Sequence, residues 1–227
     1  MRRTADPHLM PGSGERPAKR FALALPLAGT PGQDYVERRG IPLAVAHAAG
    51  LRFDPDWAGR PAVLVALRDH ADAMVSVHGR YLSTLRGQDK MLTIGPGGGV
   101  VDIGERREAW HDANDGHDAL DEPLILVEGL FDALSLAVCG CRCLATIGRW
   151  APWLPEACAD RLAWLAFDGN RPGEHEAAVY AARLSRVRRL PPPPRCKDWN
   201  TALCKRGRGE VSRWLREHLA AVDTAIP

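Results

Sequence analysis

The fold class of this 227-residue chain is decided by the stretch LILVEGLFDALSL at residues 124–136. It is an apolar strand that ends on an acid, Glu128, and turns through Gly129 into a helix. The stretch LAWLAFDGNRPGEHEAA at residues 162–178 repeats the pattern, with Asp168 as its acid. In a parallel α/β sheet, functional groups collect in the crevice at the carboxyl ends of adjacent strands. We therefore expect the two carboxylates to lie close together, as a divalent cation and phosphoryl-transfer chemistry would require.

Strands and helices alternate throughout this part of the chain. The predicted order is strand 124–128, helix 130–139, strand 142–147, helix 153–160, strand 162–168, helix 173–185 and strand 186–190. Such alternation predicts a parallel sheet with right-handed crossovers. A C-terminal amphipathic helix follows, whose apolar face consists of Val211, Trp214, Leu215 and Leu219.

The upstream half has a different pattern. Residues 34–51 predict short helices, and residues 61–82 predict a hairpin with alternating apolar positions. The stretch LTIGPGGGVVDIG at 92–104 predicts a second strand pair around a glycine-rich turn, since GPGGG lacks the lysine and hydroxyl residue of a phosphate-binding loop. We therefore predict three parts, namely a flexible polar tail (1–20), an α+β subdomain (21–120) and an α/β domain ending in the amphipathic helix (121–227).

Composition limits the class of protein. Hydrophobic residues make up 45% of the chain, and no apolar stretch approaches the roughly 20 residues of a membrane span. The N-terminus has arginines but no apolar segment of a secretory signal, so we expect a cytoplasmic protein with no membrane partner. None of the six cysteines forms a C-x-x-C pair, and the thiols of CGCRC (139–143) are too closely spaced to suit zinc. We expect buried or incidental thiols in a reducing compartment and no structural zinc.

The charges are unevenly distributed. Residues 102–132 contain ten acidic residues against two arginines, and residues 183–217 contain eleven basic residues against three acidic ones. A basic face beside an acidic site suits an enzyme that handles a polyanion. Two solvated faces that partly neutralise each other are the alternative. The acidic, histidine-containing stretch at 111–122 has neither calcium-loop nor zinc spacing and is interpreted as a solvated linker.

Three motifs together resemble the Toprim domain, the catalytic module shared by bacterial primases, topoisomerases and some nucleases. They are VEGLFDALS, FDGNRPGEHEAA and KDWNTAL, and their form is most similar to primases and primase-helicases of phages and plasmids. The segment VSVHGRYL…KMLTIGPGGGV resembles the region that precedes Toprim in those proteins. The resemblance covers residues 34–207. It implies a Toprim-like, Rossmann-like parallel sheet flanked by helices and preceded by a small α+β subdomain.

The resemblance also implies a set of site residues. Glu128 matches the glutamate that acts as general acid/base or metal ligand, and Asp168 matches a ligand of Mg²⁺ or Mn²⁺. Asn170 and Asp198 would complete the metal site. The implied supporting residues are Gly129, Asp132, Gly173 and Asn200. The implied contacts to nucleic acid or nucleotide are Arg80, Lys90, Arg195 and Lys197.

One position departs from the family pattern, and two others have local alternatives. The second aspartate of the D-x-D motif is Asn170 here, which removes one negative charge from a site for a hard cation. Glu174 and Glu176 would compensate if they faced the site, or they are exposed helix positions. Asp198 is either a ligand or a helix N-cap, and Asp132 suits the first turn of a helix whatever its chemistry.

The activity implied is primer synthesis, in which nucleotidyl transfer from nucleotide triphosphates proceeds on a single-stranded DNA template. A Toprim nuclease would use the same acids to direct water at a phosphodiester. A degenerate, non-catalytic Toprim module that binds nucleic acid or a replication partner is the third interpretation. The sequence has neither a zinc ribbon nor a G-x-x-x-x-G-K-[ST] motif, so a separate zinc-ribbon or helicase protein is the expected partner.

Overall fold

The computed structural model describes residues 17–104 and 124–220. The predicted linker at 111–122 and residues 1–16 of the predicted tail lie outside the described residues. The chain divides into two compact units. The N-terminal unit comprises Met1–Val101 with Arg149–Ala151, and the C-terminal unit comprises Asp102–Gly148 with Pro152–Pro227.

The N-terminal unit is built on an antiparallel sheet. Its elements are α1 (Pro17–Leu23), β1 (Leu25–Pro26), α2 (Pro31–Glu37), α3 (Leu43–Ala48), β2 (Arg52–Trp57), β3 (Arg60–Arg68), β4 (Met74–Tyr81) and β5 (Met91–Ile94). The five strands follow the order β1-β2-β3-β4-β5, and each pair of neighbours is antiparallel. Helix α1 begins inside the stretch that the sequence predicts as tail.

The predicted hairpin and short helices are confirmed. Strands β3 and β4 pair with Val65 opposite His78, and the alternating apolar side chains of β3 are buried. Strand β2 has no counterpart among the predicted elements. It contains Pro55, which sequence reasoning treats as a strand breaker, and the structure accommodates this proline where the register shifts between Asp54 and Trp57.

The predicted strand pair at 92–104 is wrong. Strand β5 pairs with β4, whereas the next strand, β6 (Val101–Ile103), belongs to the second sheet. The intervening glycines pack against β4 instead of forming a tight hairpin turn. A Cβ atom on Gly95 would lie 2.5 Å from the Val75 carbonyl oxygen, and one on Gly99 would lie 2.5 Å from the Val75 side chain. Close backbone approach explains these two glycines, and the chain then pairs Val100 with Arg68 in an isolated bridge.

The C-terminal unit contains the strands and helices that the sequence predicts for the α/β domain. Its further elements are β7 (Leu124–Val127), α4 (Leu130–Val138), β8 (Cys143–Ala145), α5 (Leu154–Ala157), β9 (Ala163–Leu165), α6 (Arg171–Ala181), β10 (Val187–Arg189) and α7 (Trp199–Ala220). The sheet order is β10-β9-β7-β8-β6, and β10–β9, β9–β7 and β7–β8 are parallel. The predicted alternation and parallel pairing are confirmed.

Two features of this unit bear on the site. All four residues of β7 are buried, as in a parallel sheet with both faces covered. Helix α7 carries the predicted apolar face, with Val211 and Leu215 buried, and is kinked at Gly207, where φ is 77°.

Within the described ranges, no helix combines the length and apolar character needed to cross a bilayer.

Candidate functional site

The two acids that end the apolar strands lie at the same edge of the sheet. Glu128 follows β7 directly, and Asp168 follows β9 after two further buried residues. Strands β7 and β9 are adjacent and in parallel register, with Leu126 opposite Leu165. Burial raises the pKa of Glu128, and the negative charge of Asp168 raises it further. The two carboxylates are therefore close enough to interact, as the strand pattern predicts.

A third carboxylate reaches this edge from the loop before α7. Burial and then the charge of Asp198 raise the pKa of Asp168. One oxygen of Asp198 accepts the backbone N–H of Thr201 at 2.6 Å, and the other lies 3.1 Å from the Lys197 ammonium. Although burial opposes ionisation, these hydrogen bonds hold the pKa of Asp198 below its ordinary value. Asp198 thus caps the first turn of α7 while it lies near the other acids.

Asp132 connects the first and third motifs. Its side chain is partly buried, and one oxygen accepts the backbone N–H groups of Trp199 at 2.9 Å and Asn200 at 3.2 Å. Asn200 in turn donates to the Ser135 hydroxyl at 3.1 Å. Gly129 allows this arrangement, because a Cβ atom there would lie 2.7 Å from the second oxygen of Asp132. These supporting residues hold the start of α7 against α4.

Asn170 has a local role in the structure. Its Oδ1 accepts the backbone N–H of Gly173 at 2.9 Å and so caps α6, while its Nδ2 donates to Asp168 at 3.1 Å. The oxygen expected on a metal is therefore engaged in the helix cap. Gly173 packs directly against the first acid of the motif, since a Cβ atom there would lie 2.3 Å from the Asp168 carbonyl oxygen.

The two glutamates of α6 differ in their surroundings. Glu174 forms an ion pair with Arg189 at 2.6 Å, and hydrogen bonding to that guanidinium lowers the pKa of Glu174. Glu176 is half-buried, and its charge contributes to the raised pKa of Glu128. Glu176 is thus the one of the two whose charge raises the pKa of a site acid, whereas the carboxylate of Glu174 is engaged by Arg189.

The four basic residues expected to contact nucleic acid or nucleotide fall in both units. Arg80 is half-buried on β4, where its Nε donates to the Tyr35 hydroxyl at 3.4 Å, and Lys90 is exposed before β5. Arg195 and Lys197 are exposed in the loop between β10 and α7. This loop is anchored to the D-G-N motif, because the Gly169 N–H donates to the Lys197 carbonyl oxygen at 2.7 Å.

The donor set suits a hard divalent cation in its chemistry. Carboxylate oxygens are the ligands that Mg²⁺ prefers. The raised pKa values of Glu128 and Asp168 reflect burial first and then neighbouring negative charge, which a cation would offset. Across 17–104 and 124–220, however, no three His, Cys, Asp or Glu side chains form a preassembled metal cage.

Of the CGCRC thiols, that of Cys143 is buried, and burial raises its pKa. Cys139 and Cys141 are half-buried.

Sequence reasoning misses the role of Arg189. The sequence groups this arginine with the basic face of the last third, but its side chain turns inward, with a carboxylate and three backbone carbonyls as partners. The sequence offers one signal for this role, which is that Arg189 ends a short strand beside β9. The signal is weak, because the neighbouring Arg188 is also basic and yet its side chain is exposed.

Comparisons of the sequence with protein families give two matches. Residues 12–98 match a domain of unknown function (DUF7146), and residues 125–203 match the Toprim-like family. None of the curated proteins compared with the sequence matches it.

Solved structures of primases resemble this chain. The primase of Aquifex aeolicus, comprising zinc-binding and RNA polymerase domains, has a TM-score of 0.65 at 17% identity over 92% of this chain and 62% of that one. The DnaG primase catalytic domain bound to single-stranded DNA has a TM-score of 0.61 at 18% identity, over 88% of this chain and 77% of that one. The primase fragment of the bacteriophage T7 primase-helicase has a TM-score of 0.55 at 22% identity, over 79% of this chain and 72% of that one. The chain thus spans less than two thirds of the Aquifex protein, and at these identities the likeness establishes the fold.

Proposed function

We propose, from the premise that this chain carries a Toprim-like domain within the fold of a primase catalytic core, that it catalyses nucleotidyl transfer on a single-stranded DNA template. The observation that carries the proposal is the convergence of Glu128, Asp168 and Asp198 at the carboxyl edge of the parallel sheet. Neighbouring acids of this kind, where the charge of Asp168 raises the pKa of Glu128 and that of Asp198 raises the pKa of Asp168, are costly unless they serve a cation or a proton transfer.

Each acid has a role in the proposed reaction. In primer synthesis, a 3′-hydroxyl attacks the α-phosphate of an incoming nucleotide triphosphate, which forms the new phosphodiester bond, breaks the bond to the β-phosphate and releases pyrophosphate. Glu128 would accept the hydroxyl proton, because its raised pKa brings it nearer to the operating pH of a general base. Asp168 and Asp198 would hold Mg²⁺ or Mn²⁺, which neutralises charge on the phosphates when bound. Asp198 would be kept in place by the contacts between α4 and the start of α7, which involve Asp132, Asn200 and Gly129.

Basic residues would bind the polyanionic substrates. Arg195 and Lys197 are exposed on the loop that is anchored to the D-G-N motif, so they are suited to the triphosphate or the template. Separately, in the N-terminal unit, Arg80 and Lys90 are proposed contacts to nucleic acid or nucleotide. The single-stranded DNA bound to one of the similar primase domains supports the template assignment. Phosphate contacts of this kind weaken steeply as the salt concentration rises.

A partner and a location belong to the same proposal. The similar Aquifex primase includes a zinc-binding domain, and the similar phage fragment comes from a primase-helicase. We infer that a zinc-ribbon or helicase protein assists this chain in template recognition or unwinding, within the cytoplasm.

Incorporation of labelled nucleotides on single-stranded DNA with Mg²⁺ tests the proposal. Glu128→Ala and Asp168→Ala should each lower product formation by about 100-fold or more, as expected for loss of a general base or of a metal ligand. Glu210→Ala, which removes an exposed acid on α7, should leave the rate unchanged. A Glu128→Ala protein that makes oligonucleotides at the parent rate would contradict the proposal.

The engaged oxygen of Asn170 favours one alternative, a non-catalytic module that binds nucleic acid or a replication partner. Single-strand binding without any products from the parent would support that alternative. Cleavage of DNA in the absence of nucleotide triphosphates would instead identify a nuclease with the same acids.

A further inference from the structure

We propose that Arg189 is a positioning residue for Asp168, which it holds beside Glu128 by fixing the backbone that carries the carboxylate. The catalytic importance of this position of Asp168 rests on the proposed nucleotidyl transfer. Its geometry, however, is independent of any bound ligand.

The guanidinium of Arg189 spans the segment that leads from β9 to Asp168. Nη1 donates to the Leu165 carbonyl oxygen at 2.7 Å and to the Leu190 carbonyl oxygen at 3.2 Å. Nη2 donates to the carbonyl oxygen of Asp168 at 2.7 Å. One side chain therefore binds the last residue of the strand and the acid three positions later.

Glu174 completes the arrangement from the first turn of α6. Its carboxylate accepts Nε of Arg189 at 3.2 Å and Nη2 at 2.6 Å. With these contacts all five N–H donors of the guanidinium are engaged. The ion pair also joins the two ends of the D-G-N loop, because Glu174 lies six residues after Asp168 and Arg189 lies in the strand beside β9.

The ladder of β9 ends at Leu165, whose carbonyl oxygen also accepts the backbone N–H of Leu190 at 3.0 Å. Beyond the ladder, backbone carbonyls need other hydrogen-bond donors, and Arg189 supplies one at Asp168. The planar fork of an arginine can serve several carbonyls at once, whereas a lysine ammonium presents a single point of charge. The positive charge of Arg189 also favours the ionised form of Asp168, against the effect of Asp198.

A role for Arg189 in binding phosphates is inconsistent with these contacts. Its side chain is only 23% exposed, and its donors already have protein acceptors. Arg188, the preceding residue on the same strand, is exposed and supplies a matched control.

The first test measures amide hydrogen exchange of the metal-free protein. In Arg189→Lys, which keeps the charge but loses the fork, the N–H groups of Gly169, Gly173 and Glu174 should exchange at least tenfold faster than in the parent. Glu174→Gln, a milder change, should give a smaller increase in the same segment, and Arg188→Lys should match the parent. Unchanged exchange in Arg189→Lys and Glu174→Gln overturns the inference.

The second test measures Mg²⁺ dependence and primer synthesis with the same proteins. Arg189→Lys should raise the Mg²⁺ concentration for half-maximal thermal stabilisation several-fold and lower kcat 10- to 100-fold, with KM for the template unchanged, because displacement of a reacting group by about 1 Å costs on the order of 100-fold. If the parent responds to Mg²⁺ and Arg189→Lys behaves identically, the inference alone fails. A parent that neither responds to Mg²⁺ nor makes product overturns the proposed function, and the positioning role of Arg189 is then decided by hydrogen exchange alone.

Discussion

The partly buried carboxylate of Asp132 accepts the backbone N–H of Trp199 at 2.9 Å, although 67 positions separate the two residues. The same oxygen accepts the N–H of Asn200, so the first turn of α7 is capped by a side chain from α4. Two motifs that are distant in sequence thus form one structural unit. Asp198, which directly precedes Trp199, owes its position near Asp168 to this cap.

Asp132 should make stability depend on pH in the absence of metal. Burial, and then the charges of Asp198 and Asp168, raise its pKa to about 7 from an ordinary 3.8. Because the folded protein holds this proton more tightly than the unfolded chain, the contribution to the free energy of unfolding is greatest at low pH. It is lost as pH rises from about 4 to about 7. Urea unfolding in EDTA should therefore show a larger loss over this window in the parent than in Asp132→Asn.

Asn at this position keeps the oxygen that accepts the two backbone N–H groups, so its cap should survive. Glu128 and Asp168 also have raised pKa values and leave a residual slope of the same sign in the variant. At about 1.4 kcal/mol per pKa unit, the difference between the two proteins should reach a few kcal/mol above pH 7. Identical pH profiles would show that the Asp132 carboxylate does not carry this proton.

The parallel sheet and the meeting of Glu128 with Asp168 were predictable because their signals are local. An apolar strand, an acid, a glycine and a helix lie within residues 124–136. Because β7 and β9 are parallel neighbours, the acids that follow them lie at the same edge of the sheet. The three motifs also lie in the Toprim order, and the family match at 125–203 agrees with them.

Long-range contacts could not be predicted in this way. Nothing in the sequence indicates that Asp132 caps α7 or that Arg189 turns inward while Arg188 faces solvent. The strand pair expected at 92–104 failed for a related reason. Glycines that permit close backbone packing and glycines that form a hairpin turn look alike in a sequence, and only the structure distinguishes them.

Asn170→Asp should strengthen Mg²⁺ binding. Aspartate can still cap α6, and it restores a carboxylate beside Asp168 in place of the amide that now donates to it. Without metal, the added repulsion should lower the free energy of unfolding. With Mg²⁺, the concentration for half-maximal thermal stabilisation should fall severalfold, as differential scanning fluorimetry would show.

Asn170→Ala is the matched control for that experiment. It removes the cap, which costs about 1 kcal/mol, and adds no ligand, so its Mg²⁺ dependence should be no stronger than that of the parent. An Asn170→Asp protein with parent-like Mg²⁺ dependence would mean that this position does not face the cation.

Gly173→Ala should destabilise the domain and lower activity. Its Cβ atom would lie 2.3 Å from the Asp168 carbonyl oxygen and 2.7 Å from the Asp168 Cβ. Either α6 or the acid must move, at a cost of about 1–3 kcal/mol. Gly209→Ala meets nothing within 4 Å, two residues after the kink of α7 at Gly207, and should leave the free energy of unfolding unchanged or raise it by less than about 0.5 kcal/mol. Urea unfolding of both variants checks the contrast, which would be contradicted if the two alanines had equal effects.

Arg195→Asn should reduce the salt dependence of single-stranded DNA binding. Arg195 is exposed and has a φ of 67°, a conformation that asparagine tolerates better than most residues, so the loop should keep its shape. Removal of one cation that binds a phosphate of single-stranded DNA lowers the slope of log K against log salt by about 0.7. Lys19→Gln removes one exposed charge from α1 and should leave the slope unchanged. Fluorescence anisotropy at several salt concentrations measures both slopes, and equal changes in the two variants would mean that net charge, rather than a phosphate bound at Arg195, governs the binding.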